Sequence, residues 1–291
     1  MSEKVTVVAR SFQAGTGGNG KIFNADQFGQ KVARPIRTLL RFPEVIQSII
    51  VVTNGEKGNR LAENYIADGV TPTIQALQDT FPEEVKNGLI IPHVCTDWGA
   101  NPGSGNALND GWKIADNNNS EWVMNWSPDI IMDGYRIYSA LEFAIAHNLD
   151  LIGFLRELWW ERPQWNVAQN TANIWKTELL VEVNGFASEC NGTGETIEVE
   201  GFGETPVAGM EDFHTMLRIL KGNPNFRWGM VGVSDPLKWS VNFEPGSERE
   251  FNHLRKVARQ YQVMQVYVKR VFPELTFQEV MNKLFKESKQ R

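Results

Sequence analysis

The chain has 291 residues, of which 42% are hydrophobic and 22% are charged, and its formal net charge is −6. These proportions are ordinary for a protein that buries a sizeable core, so they exclude intrinsic disorder as the default state. The acidic balance argues against general nucleic-acid binding, which needs a concentrated basic surface. No apolar run approaches the roughly 20 residues of a membrane-spanning helix, and the first residues lack a secretory apolar core, so we expect a cytoplasmic protein.

The first half of the chain alternates predicted strands with predicted helices. Residues 5–9 form a short β-branched run bounded by a Gly-rich stretch, which predicts a buried strand. A helix is predicted over 24–40, bent or restarted at Pro35. Further strands are predicted over 46–52, 89–94 and 122–126, and further helices over 72–78 and 105–115. This alternation predicts an α/β fold of the Rossmann-like kind, a mostly parallel sheet flanked by helices.

Polar residues follow the predicted strands where each one ends. In open α/β sheets, ligands bind at the carboxyl ends of the strands, so we expect a nucleotide there. The strand ends read Arg10-Ser11-Phe12, Thr53-Asn54-Gly55-Glu56, Thr96-Asp97-Trp98 and Ser127-Pro128-Asp129.

The second half begins near residue 151 with an aromatic run that contains Trp159 and Trp160. The acidic, Gly-rich stretch 187–209 predicts a mobile surface loop or a hairpin. A helix is predicted over 211–221 with Gly222 as its C-cap, and a strand follows over 226–233.

Two capping boxes predict a pair of helices at the end of the chain. They begin at Ser247 and Thr276 and are separated near Pro273. We therefore divide the chain into a domain over 1–240 and a C-terminal helical tail over 241–291. The basic residues of the first tail helix suit phosphates or an anionic membrane, or they form a solvated helix face.

Six short motifs occur in a particular order along residues 5–235. They are residues 5–12, residues 51–55, Asn101-Pro102-Gly103 with Ala107-Leu108-Asn109-Asp110-Gly111, residues 122–129, Val183-Asn184-Gly185-Phe186, and Gly209-Met210-Glu211-Asp212-Phe213-His214. This order resembles the inverting glycosyltransferases of the GT-A fold, family two. The resemblance implies transfer of a sugar from a nucleoside diphosphate sugar to an acceptor hydroxyl with inversion.

By this resemblance, Asp212 is the general base and Glu211 contacts the acceptor or orients the loop. Such a reaction needs a base for the acceptor hydroxyl and neutralisation of the charge on the diphosphate leaving group. The structural alternative for both acids is that carboxylates are favourable in the first turn of any helix.

The resemblance also implies a divalent cation, Mn or Mg, that Asp129 ligates beside the diphosphate. Ser127 stands where the family has the first Asp of Asp-x-Asp, and a neutral hydroxyl weakens metal binding. Metal dependence is therefore open. Asp235 and His253 are the candidates for a further metal ligand downstream of the base.

Other residues are implied in donor and acceptor binding. Asn54 and Glu56 correspond to positions that bind the base and ribose, although Asn54-Gly55 also suits a plain turn. The diphosphate or sugar would lie at a helix N-terminus and at the neighbouring strand ends. The residues implied there are Arg10, Ser11, Phe12, Asn101, Gly103, Asn106 and Ser127. Trp159 and Trp160 suit a sugar-stacking platform for a glycan or lipid-linked acceptor, or core packing.

Three other functions fit parts of the sequence. The run from Gly15 to Lys21 matches the GxxxxGK core of a phosphate-binding P-loop, which would make the chain an NTPase or kinase, but Ile22 replaces the expected Ser or Thr. A nucleotidyltransferase would use the same loop after the first strand. A non-catalytic sugar-nucleotide-binding protein is compatible with Ser127.

Overall fold

The computed structural model of the chain describes residues 3–11, 28–54, 72–96, 105–127, 130, 132–155, 172–187, 190, 193–232, 237, 245–286 and 289–290. Its described strands are β1 (Val5–Ser11), β2 (Ile46–Asn54), β3 (Ile90–Cys95), β4 (Trp122–Trp126), β5 (Leu151–Phe154), β6 (Ala172–Lys176), β7 (Thr196–Val199), β8 (Gly203–Pro206), β9 (Trp228–Val231) and β10 (Lys289–Gln290).

A sheet of eight strands in the order β10-β9-β5-β6-β4-β1-β2-β3 forms the centre of the protein. β6 is antiparallel to both of its neighbours, and the other neighbouring strands of this sheet are parallel. The predicted mostly parallel sheet is thus confirmed. β5 and β9 lie within the same sheet, so the region after residue 151 continues it.

Helices lie along the sheet. They are α1 (Arg34–Leu39), α2 (Pro72–Thr80), α3 (Pro82–Lys86), α4 (Gly105–Asn117), α5 (Gly134–Ala146), α6 (Thr177–Glu182), α7 (Glu211–Gly222), α8 (Glu248–Val271) and α9 (Phe277–Lys286). A π-helical turn, Gly29–Ala33, precedes α1, and Pro35 lies in the first turn of α1. Ala33 and Arg34 keep helical backbone angles, so the helix is continuous and changes from π to α hydrogen bonding beside Pro35, whose nitrogen carries no hydrogen to donate.

Both faces of the sheet are buried because successive strand residues point to opposite sides. Val8 of β1 belongs to a hydrophobic cluster shared with α4, α7 and α8. Its neighbours Val7 and Ala9 belong to a second cluster, shared with α1 and α5. A parallel sheet covered on both faces needs such continuously apolar strands.

The predicted capping box is complete at Thr276, while at Ser247 the Glu250 carboxylate accepts from the neighbouring Gly246 amide at 2.6 Å. The Ser247 hydroxyl accepts from the Glu250 amide at 3.2 Å, and the Glu279 carboxylate accepts from the Thr276 amide at 2.7 Å. The ends of α8 and α9 lie on either side of Pro273, also as predicted. β10 pairs with β9 and so adds the end of the tail to the sheet, while the division at residue 240 stays a prediction.

The acidic stretch 187–209 contains the antiparallel hairpin β7–β8, the second of the two predicted forms. Its residue Glu195 forms an exposed ion pair with Arg270 of α8. In the described part of the chain, no helix combines the length and the apolar character needed to cross a bilayer.

Candidate functional site

The carboxyl ends of β1, β2 and β4 meet at one edge of the sheet. Ala9 of β1 lies opposite Trp126 of β4 and Val51 of β2, so Arg10 is level with the residue that follows β4, Ser127. The backbone of Ser127 accepts a hydrogen bond from Ile130 at 2.9 Å, which turns the chain at this point. The predicted convergence of strand ends is present for these three strands.

A buried acidic pair faces this edge. Glu211 and Asp212 begin α7 and are only 8% and 6% exposed. The Glu211 carboxylate lies 3.2 Å from the Arg10 guanidinium, although the two residues are 201 positions apart. An ion pair of this kind, with both side chains mostly removed from water, holds each group in a defined position.

The chain enters α7 through two residues in the left-handed region, Gly209 at φ 80° and Met210 at φ 58°. Met210 is the N-cap residue and its side chain makes no capping bond. The Asp212 carboxylate instead accepts from the Phe213 amide at 2.8 Å. This bond satisfies a first-turn donor and orients the carboxylate.

The C-terminal helix α8 supports the segment before Glu211. The Tyr267 hydroxyl donates to the Gly209 carbonyl at 3.0 Å, and Arg259 donates to the Pro206 carbonyl at 3.0 Å. Burial, followed by its contact with Cys190, raises the pKa of Tyr267, so its hydroxyl remains a donor. The tail therefore positions the acidic pair.

Lys256 of α8 brings a second cation near the acidic pair. It precedes Tyr267 by eleven residues, about three helical turns, so the two residues share a helix face. The Lys256 side chain is exposed, yet surrounding protein atoms desolvate its ammonium group, and this desolvation lowers the pKa of Lys256. The positive charges of Arg10 and Arg259 lower that pKa further, while the negative charges of Glu211 and Asp212 raise it. Lys256 is therefore a second positive charge that interacts with Glu211 and Asp212.

Helix α4 reaches the same site with its N-terminus. A side chain at Gly105 would lie 3.2 Å from Phe186 Cβ and 3.9 Å from Glu211 Cβ. One at Gly111 would lie 2.2 Å from a methyl group of Val8, so α4 packs on β1 at a distance that only glycine allows.

Asn109 of α4 joins two of the sequence motifs. Its side chain donates to the Phe186 carbonyl at 2.8 Å and accepts from the Phe186 amide at 2.7 Å. It also accepts from the Trp112 indole at 3.0 Å. Gly185 has φ +71°, and a Cβ there would lie 2.3 Å from both Asn109 Oδ1 and Trp112 Nε1. The Asn-Gly-Phe turn is thus held on α4.

Several predicted site residues lie at this edge. Arg10, Glu211 and Asp212 are in mutual proximity, Ser11 ends β1, Asn54 is buried at the end of β2, Asn106 lies in the first turn of α4, and Ser127 follows β4. Other predicted residues lie outside the described part of the chain. These are Phe12, Glu56, Asn101, Gly103, Asp129, Trp159, Trp160, Asp235 and the loop from Gly15 to Lys21, together with the side chain of His253.

Asn109 and Tyr267 were given no role in the sequence predictions, and Lys256 and Arg259 entered them only as part of the basic first tail helix that suits phosphates, a membrane or solvent. Asn109 lies inside a motif, but its partner Phe186 is 77 residues away. For the other three, the spacing of Lys256, Arg259 and Tyr267 along one face of a predicted helix was the available signal.

Among the described residues, no three His, Cys, Asp or Glu side chains cluster closely enough to hold a metal ion. Glu211 is engaged by Arg10, and Asp212 is engaged by a backbone amide. The described acids therefore do not form a metal site by themselves, and the predicted ligands Asp129 and Asp235 lie outside the described residues.

No protein-family model matches the chain, and no curated protein matches it. Among solved structures, residues 1 to 349 of S. aureus TarS match 98% of this chain and 71% of that chain, with a TM-score of 0.51 and 14% identity. A longer TarS structure matches 98% of this chain and 44% of that chain, with a TM-score of 0.52 and 16% identity. The TarS complex with UDP-GlcNAc gives a TM-score of 0.50, 14% identity, and coverage of 98% and 73%.

At these identities the likeness shows the fold alone. TarS has a GT-A-like glycosyltransferase structure, so the chain has the α/β architecture expected from its sequence. This chain spans less than half the length of the longer TarS structure.

Proposed function

We propose that this protein transfers a sugar from a nucleoside diphosphate sugar to an acceptor hydroxyl, with inversion at the anomeric carbon. The observation that carries the proposal is the buried Glu211–Asp212 pair beside Arg10 at the carboxyl edge of the sheet. The fold likeness to TarS supports it, since TarS structures include complexes with UDP and with UDP-GlcNAc.

Asp212 is the proposed general base. The acceptor oxygen forms a bond to the anomeric carbon while the bond from that carbon to the donor phosphate oxygen breaks. The hydroxyl proton passes to Asp212, and the nucleoside diphosphate leaves. Glu211 is the positioning partner because its carboxylate is paired with Arg10 at 3.2 Å.

Positive charge close to the acidic pair suits the leaving group. Arg10 is at the end of β1, and Lys256 interacts electrostatically with both Glu211 and Asp212. A leaving diphosphate gains negative charge in the transition state, and fixed cations stabilise that charge without reorganising. We therefore assign Arg10 and Lys256 to the diphosphate side of the site.

A divalent cation, Mn or Mg, would supply further charge neutralisation for the diphosphate. Asp129 is its proposed ligand because it follows β4, whose end is level with Arg10. The hydroxyl of Ser127 contributes no charge, so Asp129 would have to provide most of the binding. Asp235 and His253 stay predictions as further ligands.

UDP sugars are the first donors to test, since UDP and UDP-GlcNAc are the ligands in the TarS complexes. The acceptor is proposed to be a glycan or a lipid-linked hydroxyl. Donor binding by Asn54, Asn106 and Ser11 follows from their positions at the same edge. Contact of the tail helices with an anionic membrane stays a prediction.

The test is a panel of nucleoside diphosphate sugars, each measured for thermal stabilisation and sugar release with Mn, Mg or a chelator. Stabilisation by one nucleotide class with slow sugar release supports the proposal. Thermal stabilisation by a sugar nucleotide, with no sugar release and no transfer to any of the acceptors, supports the non-catalytic alternative. Stabilisation by ATP with magnesium alone would move the active site to the loop from Gly15 to Lys21.

Asp212→Asn tests the base directly. We expect turnover to fall by about 10²–10⁴-fold while donor binding is retained. Asp116→Asn is the matched control, because Asp116 is an exposed carboxylate near the end of α4. Equal turnover in the two variants would reject Asp212 as the base.

A further inference from the structure

A cavity lined by basic residues lies along α7, the helix whose first turn holds the acidic pair. It has a volume of about 660 Å³ and opens between α4, the turn before Phe186, α7 and the end of α8. Its lining includes Lys113, Arg218, Lys221, Arg270 and His214, and none of the described residues that line it is acidic. The chain as a whole has a net charge of −6, so a cavity lined by four cations is locally opposite in charge to the protein.

This cavity adjoins the proposed catalytic site, since Asn109 and Phe186 line it, but it does not include the acidic pair. Arg10, Glu211 and Asp212 are not among its lining residues. Arg218 and Lys221 follow Asp212 by six and nine residues, which places them roughly 9 and 14 Å further along the axis of α7. His214, two residues after Asp212, also lines the cavity, so a ligand there contacts α7 from His214 to Lys221.

The walls of the cavity are held by hydrogen bonds. Arg218 donates to the carbonyls of Gly185, at 2.9 Å, and of Val183. A guanidinium has five N–H donors, so these two bonds orient Arg218 without using all of its capacity. Asn109 binds the backbone of Phe186 from the opposite wall. The cavity is thus formed before any ligand enters.

The cations differ in how firmly they are engaged. Lys113 lies 5.8 Å from the centre of the Trp112 ring, and Lys113 and Lys221 are both exposed. Arg270 pairs with Glu195 at the rim, where both side chains are partly exposed. Exposed ion pairs contribute little, so a more highly charged anion can compete for Arg270.

We propose that this cavity binds the phosphate group of a small soluble phosphorylated compound. Arginine and lysine side chains together match a phosphate dianion, which accepts several charge-assisted hydrogen bonds. The volume exceeds that of phosphate alone and falls within the range of small-molecule pockets. The proposal is independent of sugar transfer, because it involves none of the proposed catalytic residues.

Inorganic phosphate and glycerol 3-phosphate are the probes, titrated at constant ionic strength against sodium chloride. Binding is followed by NMR through the ring resonances of His214, which lines the cavity, and of His147, which lies at the end of α5. We expect saturable shifts of His214 with phosphate, no saturable shift with chloride, and no change at His147.

The double variant Lys113→Ala/Lys221→Ala should weaken phosphate binding by about tenfold or more. The double variant Lys86→Ala/Lys283→Ala is the matched control, since both lysines are exposed and lie on other helices. Its affinity should equal that of the parent protein. Thermal unfolding of both variants confirms that they remain folded.

Three results would overturn the proposal. The first is equal phosphate affinity in the two double variants, and the second is a shift of His214 that does not saturate. The third is binding to anionic phospholipid vesicles without binding to either soluble phosphate compound. Because sugar-nucleotide turnover is measured separately, failure here leaves the proposed function standing.

Discussion

His214 makes the stability of this protein sensitive to mild acid. Its ring is 2% exposed and packs on Tyr267 with 4.7 Å between ring centres. Burial lowers its pKa to about 4, and the positive charges of Arg218 and Arg270 act in the same direction. As the pH falls, the unfolded chain binds a proton at its usual pKa near 6.5 before the folded protein does. Stability is therefore lost between about pH 6.5 and pH 4.

The size of this loss follows from the two pKa values. A shift from about 6.5 to about 4 corresponds to about 3 kcal/mol when the transition is complete. At pH 5, the unfolded state is almost fully protonated and the folded state is mostly neutral. The free energy of unfolding should then be lower than at pH 7.5 by about 2 kcal/mol from His214 alone.

His214→Phe keeps an aromatic ring against Tyr267 and removes the titrating group. Urea unfolding at pH 7.5 and pH 5, in buffers without phosphate, gives the acid-induced loss for each protein. We expect this loss to be smaller in the variant by about 2 kcal/mol. Comparing the two losses cancels any packing change that is independent of pH.

An NMR titration of the His214 ring gives the direct measurement. The midpoint in the folded protein should lie near pH 4, and Arg270→Gln should raise it because one of the two nearby cations is removed. A midpoint at pH 6.5 or above, or an equal acid-induced loss in parent and variant, would refute the reasoning.

Three further predictions concern the turn held on α4, the support of the acidic pair by Tyr267, and the cation Lys256. Gly185→Ala should destabilise the protein by about 2 kcal/mol or more in urea unfolding, because the backbone there is left-handed and the new Cβ would overlap with Asn109. Gly194→Ala is the control: Gly194 has φ +84° and open space around it, so its loss of stability measures the backbone strain alone. Tyr267→Phe should cost about 1–3 kcal/mol by leaving the buried Gly209 carbonyl without this donor, and should also lower sugar-transfer turnover. Lys256→Gln should lower turnover more than Lys269→Gln does, where Lys269 is an exposed lysine on the same helix. Equal turnover in these two variants would show that Lys256 is not part of the site.

Local signals in the sequence account for most of the elements. The apolar run at β2 predicts a strand buried on both faces, and Ser247 and Thr276 begin helices through their capping bonds. Helix α5 was absent from the predictions although its signal is present, since Asp133 caps it by accepting from the Arg136 amide at 2.9 Å. That element could have been found from an N-cap residue followed by a helical apolar pattern.

The site was predictable in part. Glu211 and Asp212 were identified by their motif, and Arg10 by its position after the first strand. Arg10 and Glu211 are 201 positions apart, and local periodicity does not encode which distant residues come into contact. The support from Arg259 and Tyr267 was missed because these tail residues reach the segment before Glu211 only once α8 packs on α7.

The sequence by itself determined most strands and helices of the first half and of the tail, whereas β5, β6 and α5 were not predicted. The predicted elements depend on neighbours within a few residues, through apolar periodicity and backbone capping. Only the tertiary structure decided the antiparallel place of β6, the pairing of Asn109 with Phe186, and the cationic surroundings of the acidic pair. Each of these features depends on which apolar surfaces, far apart in the sequence, are buried against one another, and that arrangement is fixed only by the packing of the whole chain.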